Sequence, residues 1–218
     1  GLVHLGNGDI AKTQDILISD NIIIGVGTNL IIDGNTRVIE VNGLLITPGL
    51  ISPMSNLGIV EINALDVTRD DESDLLSAGF SIFNAFNPHS TGLPWNRSNG
   101  VTSAMSTPSA SSFPIFGLGS HFVLDGSLEI KGSKDIAMYG RLGASYGSRA
   151  ETLSVLESLL DIGKMVKTLS IEEILEMNLA DQLELQSQDI IALGKVVNDG
   201  MPFVIETNRA VDILQALF

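Results

Sequence analysis

The chain has no cysteine in its 218 residues, which excludes disulfides, thiolate metal sites and a cysteine nucleophile together. Histidine is nearly as scarce. His4, His89 and His121 lie far apart with no ligand spacing, whereas a metal site needs a cluster of donors. Basic residues are few: 12 Lys and Arg against 26 Asp and Glu leave a net charge of −14 and a pI near 4.4. Such a surface repels phosphate backbones, so it argues against nucleic acid and anionic membranes as partners. No apolar run approaches the roughly 18 residues needed to span a bilayer. The chain starts at Gly1 without a charged-then-apolar leader, so any signal peptide is expected to have been removed already.

What is present fits a globular protein. With 44% hydrophobic and 17% charged residues and a mean hydropathy of +0.29, the chain can bury a sizeable core and carries no signature of disorder. Residues 1 to about 47 read as short strands separated by turns such as Gly6-Asn7-Gly8-Asp9 and Asp33-Gly34-Asn35. Two β-branched runs, Asp15–Ser19 and Ile22–Gly27, flank the polar pair Asp20-Asn21, a hairpin signal. From there to about 126 the chain is rich in Ser, Gly and Pro, with strand-like runs at 80–83 and 122–124. Long ordered loops of this kind usually surround a site on a rigid scaffold. The acidic stretch 66–74 lacks the glycine and closing glutamate of a calcium loop, and reads as solvated.

The last third reads as helical. Leu153, Leu156, Leu159 and Leu160 share one face of a helix over 152–164. Ser170 and Glu173 form a capping box, and a further helix over 188–197 closes at Asn198-Asp199-Gly200. Residues 201–206 read as a buried parallel strand, followed by a helix capped by Asn208 with Ile213, Leu214 and Leu217 directed inward.

Three blocks together carry a resemblance. They are the predicted hairpin over 15–27; Val38-Ile39-Glu40, Gly43 and Pro48-Gly49-Leu50-Ile51; and Asn87-Pro88 followed by Arg97-Ser98-Asn99-Gly100-Val101-Thr102. In order and spacing they resemble the amidohydrolase superfamily, in particular its imidazolonepropionase-like branch, over roughly residues 14–126. The resemblance implies an α/β fold: the N-terminal part of a composite β-sandwich over 1–47, then part of a metal-dependent-hydrolase (β/α)8 TIM barrel over 48–218. Such a barrel typically takes about 250 residues, and only 169 follow Gly49. About five barrel strands and an open edge are therefore expected, covered by a homodimer, a paralogue or the missing C-terminal half as a separate chain. Exported bacterial proteins carry the same arrangement, which implies a periplasmic or secreted location.

The same resemblance exposes a loss. The family's His-x-His metal pair falls on Met54 and Asn56, and the histidine of its fifth barrel strand falls on Glu206. A thioether and an amide are poor ligands for zinc or another divalent metal. A lysine expected on the fourth barrel strand, if Ala137-Met138 sets the register, falls on Tyr139. No metal cofactor is expected, and the favoured reading is a catalytically degenerate protein that keeps a pocket for a small molecule or partner. Asn56, Glu206, Asn208 and Arg209 are its candidate binding residues. The alternative is an active hydrolase of non-peptide C–N bonds with a rebuilt metal site holding zinc or another divalent ion. A third, metal-free hydrolase, would use Glu61 or Glu206 as base.

Two other motifs compete. Gly143-Ala144-Ser145-Tyr146-Gly147 matches the nucleophile elbow G-x-S-x-G, which needs a later histidine and a strand leading into it. No histidine follows His121, and no apolar strand is evident before Gly143. Gly117-Leu118-Gly119 lacks the third glycine of a dinucleotide loop, and residues 116–121 read as a loop of the resembled family.

Overall fold

The computed structural model describes residues 1–109, 113–143 and 147–216. The chain divides into two compact units, Gly1–Leu50 and Ile51–Phe218, where the sequence places the boundary at 47.

The first unit holds two small sheets. Strands β1 (Leu2–Val3) and β2 (Lys12–Thr13) pair antiparallel, while β1 pairs parallel with β5 (Leu45–Ile46). Between them in sequence, β3 (Asp15–Ser19) and β4 (Ile22–Gly27) form the expected hairpin. Its turn residues Asp20 and Asn21 have φ of 49° and 63°. Two successive positive φ values define a type I′ turn, whose twist matches that of the strands it joins. Asp and Asn reach this region more readily than other side chains.

The second unit is mixed α/β with a curled half-barrel sheet. Its five strands run in the order β10 (Phe203–Glu206), β9 (Gly132–Arg141), β8 (Ile115–Val123), β7 (Val101–Ser106), β6 (Leu50–Ser55). Strands β9 and β10 are parallel, but β8 runs antiparallel to both β7 and β9. This departs from the all-parallel order expected of barrel strands. Residues 116–121 are not a loop but the buried centre of β8. Gly117 and Gly119 permit this: a Cβ at Gly117 would meet the Phe80 carbonyl at 2.4 Å, and one at Gly119 the Tyr139 ring at 2.4 Å.

Helices cover one face of this sheet. A short α1 (Gly92–Ser98) precedes β7; then come α2 (Arg149–Met165), α3 (Ile171–Leu175), α4 (Asn178–Gln182), α5 (Ser187–Asp199) and α6 (Ala210–Ala216). Ser148 and Ser170 each complete a capping box, the second as the sequence predicts. Gly200, at φ 75°, closes α5 in the left-handed conformation. Leu156, Leu159 and Ile162 of α2 meet Ile190 and Leu193 of α5 and Ile115, Leu118 and Met138 of the sheet in the main core. A second core centres on Phe122, on which Phe86 stacks at 4.0 Å and 7°.

Several expectations are corrected. Residues 80–83 form no strand; Ser81 makes an isolated parallel bridge to Leu118, and a 3-10 turn follows over Phe83–Ala85. The acidic stretch is not wholly solvated, since Asp71 is buried with Arg69 and Ser109 bonded to its carboxylate. Strand β10 is only half-buried because it lies at the sheet edge. On α6, Ile213 and Leu214 are exposed and Asp212 is the buried residue, held by Arg149 and Arg209; Leu217 lies outside the described residues. The carbonyl of Arg209, not of Asn208, accepts the first helical N–H groups of α6. A strand does lead toward the G-x-S-x-G motif: β9 ends at Arg141. It was hidden because its apolar run is short, Ile136 to Tyr139 between the charged pair Lys134-Asp135 and Gly140-Arg141. Residues 144–146 of that motif lie outside the described residues.

Candidate functional site

Side chains along a strand alternate between the two faces of a sheet. In β9, Met138 joins the helix-covered core, while Ala137 and Tyr139 pack on the other face with Phe116 and Val204. Strand β10 alternates in the same way: Phe203 and Ile205 turn toward the helices, and Val204 faces Tyr139. The helix-free face is thus floored by Phe116, Tyr139 and Val204, with Arg141 and Glu206 following at the strand ends.

A cleft of about 340 Å³ opens over this floor. Its walls come from the ends of four strands and the segments after them: Met54 to Asn56 at β6, Thr107 to Ser109 beyond β7, Tyr139 to Arg141 at β9, and Val204 with Glu206 at β10. Carboxyl ends of strands are where open and closed α/β sheets place ligands. The volume lies at the lower end of the range for small-molecule pockets.

Three sequence-predicted residues, Met54, Asn56 and Glu206, meet in this cleft although up to 152 positions separate them. Asn208 and Arg209 do not line it. Asn208 is exposed, and Arg209 pairs with Asp212 at 3.0 Å. Glu61, the other base considered, is committed elsewhere: it accepts from the Asn87 amide at 2.9 Å, the Ser90 hydroxyl at 3.0 Å and the Thr91 N–H at 3.3 Å. It therefore fastens the Asn87-Pro88 loop.

Sequence reasoning missed Arg141. Its Nε and Nη2 both donate to Glu206 Oε2, at 3.0 and 2.7 Å. The guanidinium also lies 5.5 Å from the centre of the Phe116 ring, within range of a cation–π contact. The signal was available in the alternation of β9, because Arg141 is two residues beyond Tyr139 and so shares its face. Tyr139 is 3% exposed, and burial raises its phenol above the ordinary tyrosine range. The hydroxyl therefore stays neutral, and able to donate, throughout the physiological range.

These residues do not fit a metal ion. Met54 offers a thioether, Asn56 an amide that donates to Asn63 at 3.4 Å, and the carboxylate of Glu206 already holds a guanidinium. Among the described residues no group of three or more His, Cys, Asp or Glu is placed to hold an ion.

The fold has a known counterpart. A crystal structure of an amidohydrolase from Thermotoga maritima MSB8 superposes with a TM-score of 0.74 at 21% identity, over 96% of this chain and 57% of that one. The likeness is one of fold, and the chain spans little more than half the length of that protein. No protein-family model matches the sequence, and no curated protein matches it.

Proposed function

We propose that this amidohydrolase-like chain is catalytically degenerate and uses the cleft at the strand ends to bind a small molecule without a metal. The observation that carries this reading is the Arg141–Glu206 pair. Where the resemblance to the imidazolonepropionase-like branch implies a cation held by side chains, the protein's own guanidinium satisfies the one carboxylate among the described cleft residues. Met54 and Asn56 add no charge to attract another. The floor of Phe116, Tyr139 and Val204 retains what a pocket needs to bind: an apolar surface with a few convergent polar groups.

Metal content of protein expressed with zinc, manganese or iron and purified without chelator tests the reading. Substoichiometric metal, below about 0.1 per chain, is expected. Stoichiometric metal would overturn it in favour of a rebuilt hydrolase site acting on C–N bonds, where a metal activates water for attack on a carbonyl.

A further inference from the structure

We infer that the cleft receives the zwitterionic end of a free α-amino acid with an apolar side chain, an inference that rests on the small-molecule reading above. It begins with the unused hydrogen-bonding capacity of the ion pair. A guanidinium has five N–H donors, and Arg141 spends two of them on a single oxygen, Glu206 Oε2. No described residue takes the two N–H groups of Nη1 or the second of Nη2, a planar fork suited to a carboxylate. Glu206 Oε1 accepts from no described residue, which leaves it for an ammonium group.

Charge balance narrows the ligand further. Arg141 and Glu206 are the charged residues among the described lining, and together they are neutral. A simple anion would gain Arg141 but face the carboxylate of Glu206, and a simple cation would meet the reverse conflict. A ligand carrying both charges on neighbouring atoms answers the pair without net repulsion. The rest of such a ligand meets the apolar floor of Phe116, Tyr139 and Val204. Tyr139 adds a polar end to that floor: no described residue hydrogen-bonds its hydroxyl, and no described buried side-chain oxygen or nitrogen is left orphaned. The hydroxyl therefore keeps contact with solvent on a residue that lines the cleft and is only 3% exposed. A volume of about 340 Å³ suits one amino acid.

Calorimetric titration of the full chain with L-phenylalanine, 3-phenylpropionate and 2-phenylethylamine separates the contributions. The first ligand carries both charges and the others one each. L-Phenylalanine is expected to bind at least about tenfold more tightly than either, since each lost charge-assisted bond is worth that much. In Glu206→Gln, shown folded by its melting curve, the advantage over phenylpropionate should shrink to about threefold or less. Equal binding of L-phenylalanine and phenylpropionate by the unaltered protein, or binding of none of the three, overturns the inference. A fragment library screened by ligand-observed NMR distinguishes the two levels. Hits that vanish in Val204→Trp, which fills the floor, would keep the small-molecule reading alive when the amino acids fail. An empty screen would remove both.

Discussion

Residues 1–50 and 51–218 obey the same local rules and reach opposite outcomes. In the first unit Val3 is the buried hydrophobic residue among those described, while Ile10 and Ile31 stand 89% and 93% exposed. Its strands are formed and paired, and its hairpin turn has the backbone that the flanking twist requires. In the second, α2 and α5 close over one face of a sheet and seal Ile115, Met138, Leu159 and Leu193 completely. Hydrogen-bonded strands alone make a surface, and a core needs a second layer to bury it against. The difference lies in packing, because turn chemistry and β-branched composition are as good in the first unit as in the second.

The largest effect that can test this contrast is a matched pair of truncations. Leu193→Ala removes a fully buried side chain from the main core and should cost about 3–4 kcal/mol. Ile31→Ala removes one from the surface and should stay within about 0.5 kcal/mol. Urea denaturation followed by circular dichroism reads both. Comparable losses in the two variants would mean that Ile31 is covered in solution and that the contrast is false.

A smaller effect is expected at Asp189, 1% exposed. Its Oδ1 accepts from the N–H groups of Ser77 and Gly79, at 2.9 and 2.8 Å, and its Oδ2 from that of Gln186 at 2.9 Å. One carboxylate thus caps α5 and ties it to a segment about 110 residues earlier. Asp189→Asn keeps one acceptor and turns an NH2 toward a backbone donor, for a loss of about 2 kcal/mol. A loss confined to amide protection in α5, with the global midpoint unchanged, would show that the tie does not support the whole unit.

Much of this was legible because it is local. The hairpin over 15–27, the capping box at Ser170 and the left-handed stop at Gly200 each depend on residues within a few positions of one another. The antiparallel course of β8 was not legible. Its glycines suggest a loop, and they are tolerated in a strand only because Phe80 and Tyr139 press against them from distant parts of the chain. The candidate site divides on the same line. Met54, Asn56 and Glu206 stood out through the resemblance; alternation along β9 could put Arg141 on the face of Tyr139, but its pairing with Glu206 required knowing that β9 and β10 are parallel neighbours with the two residues opposite each other. Asn208 and Arg209 follow Glu206 in sequence but lie beyond the strand end, where the alternation that directs side chains to one face no longer holds.

The smallest expected change sharpens the contrast from the side of the first unit. If its hairpin is held by turn and ladder rather than by packing, easing the turn should be felt there and nowhere else. Asn21 sits at φ 63° in the turn closed by the pair Ser19–Ile22, and Asp-Gly is a favoured type I′ sequence. Asn21→Gly should therefore slow amide exchange across β3 and β4, by an amount equivalent to about 0.5 kcal/mol or less. Protection in α2 and α5 should not change. A parallel rise in those helices would show that the two units gain and lose stability together; faster exchange in the hairpin itself would show that the side chain of Asn21 contributes more than its backbone strain costs.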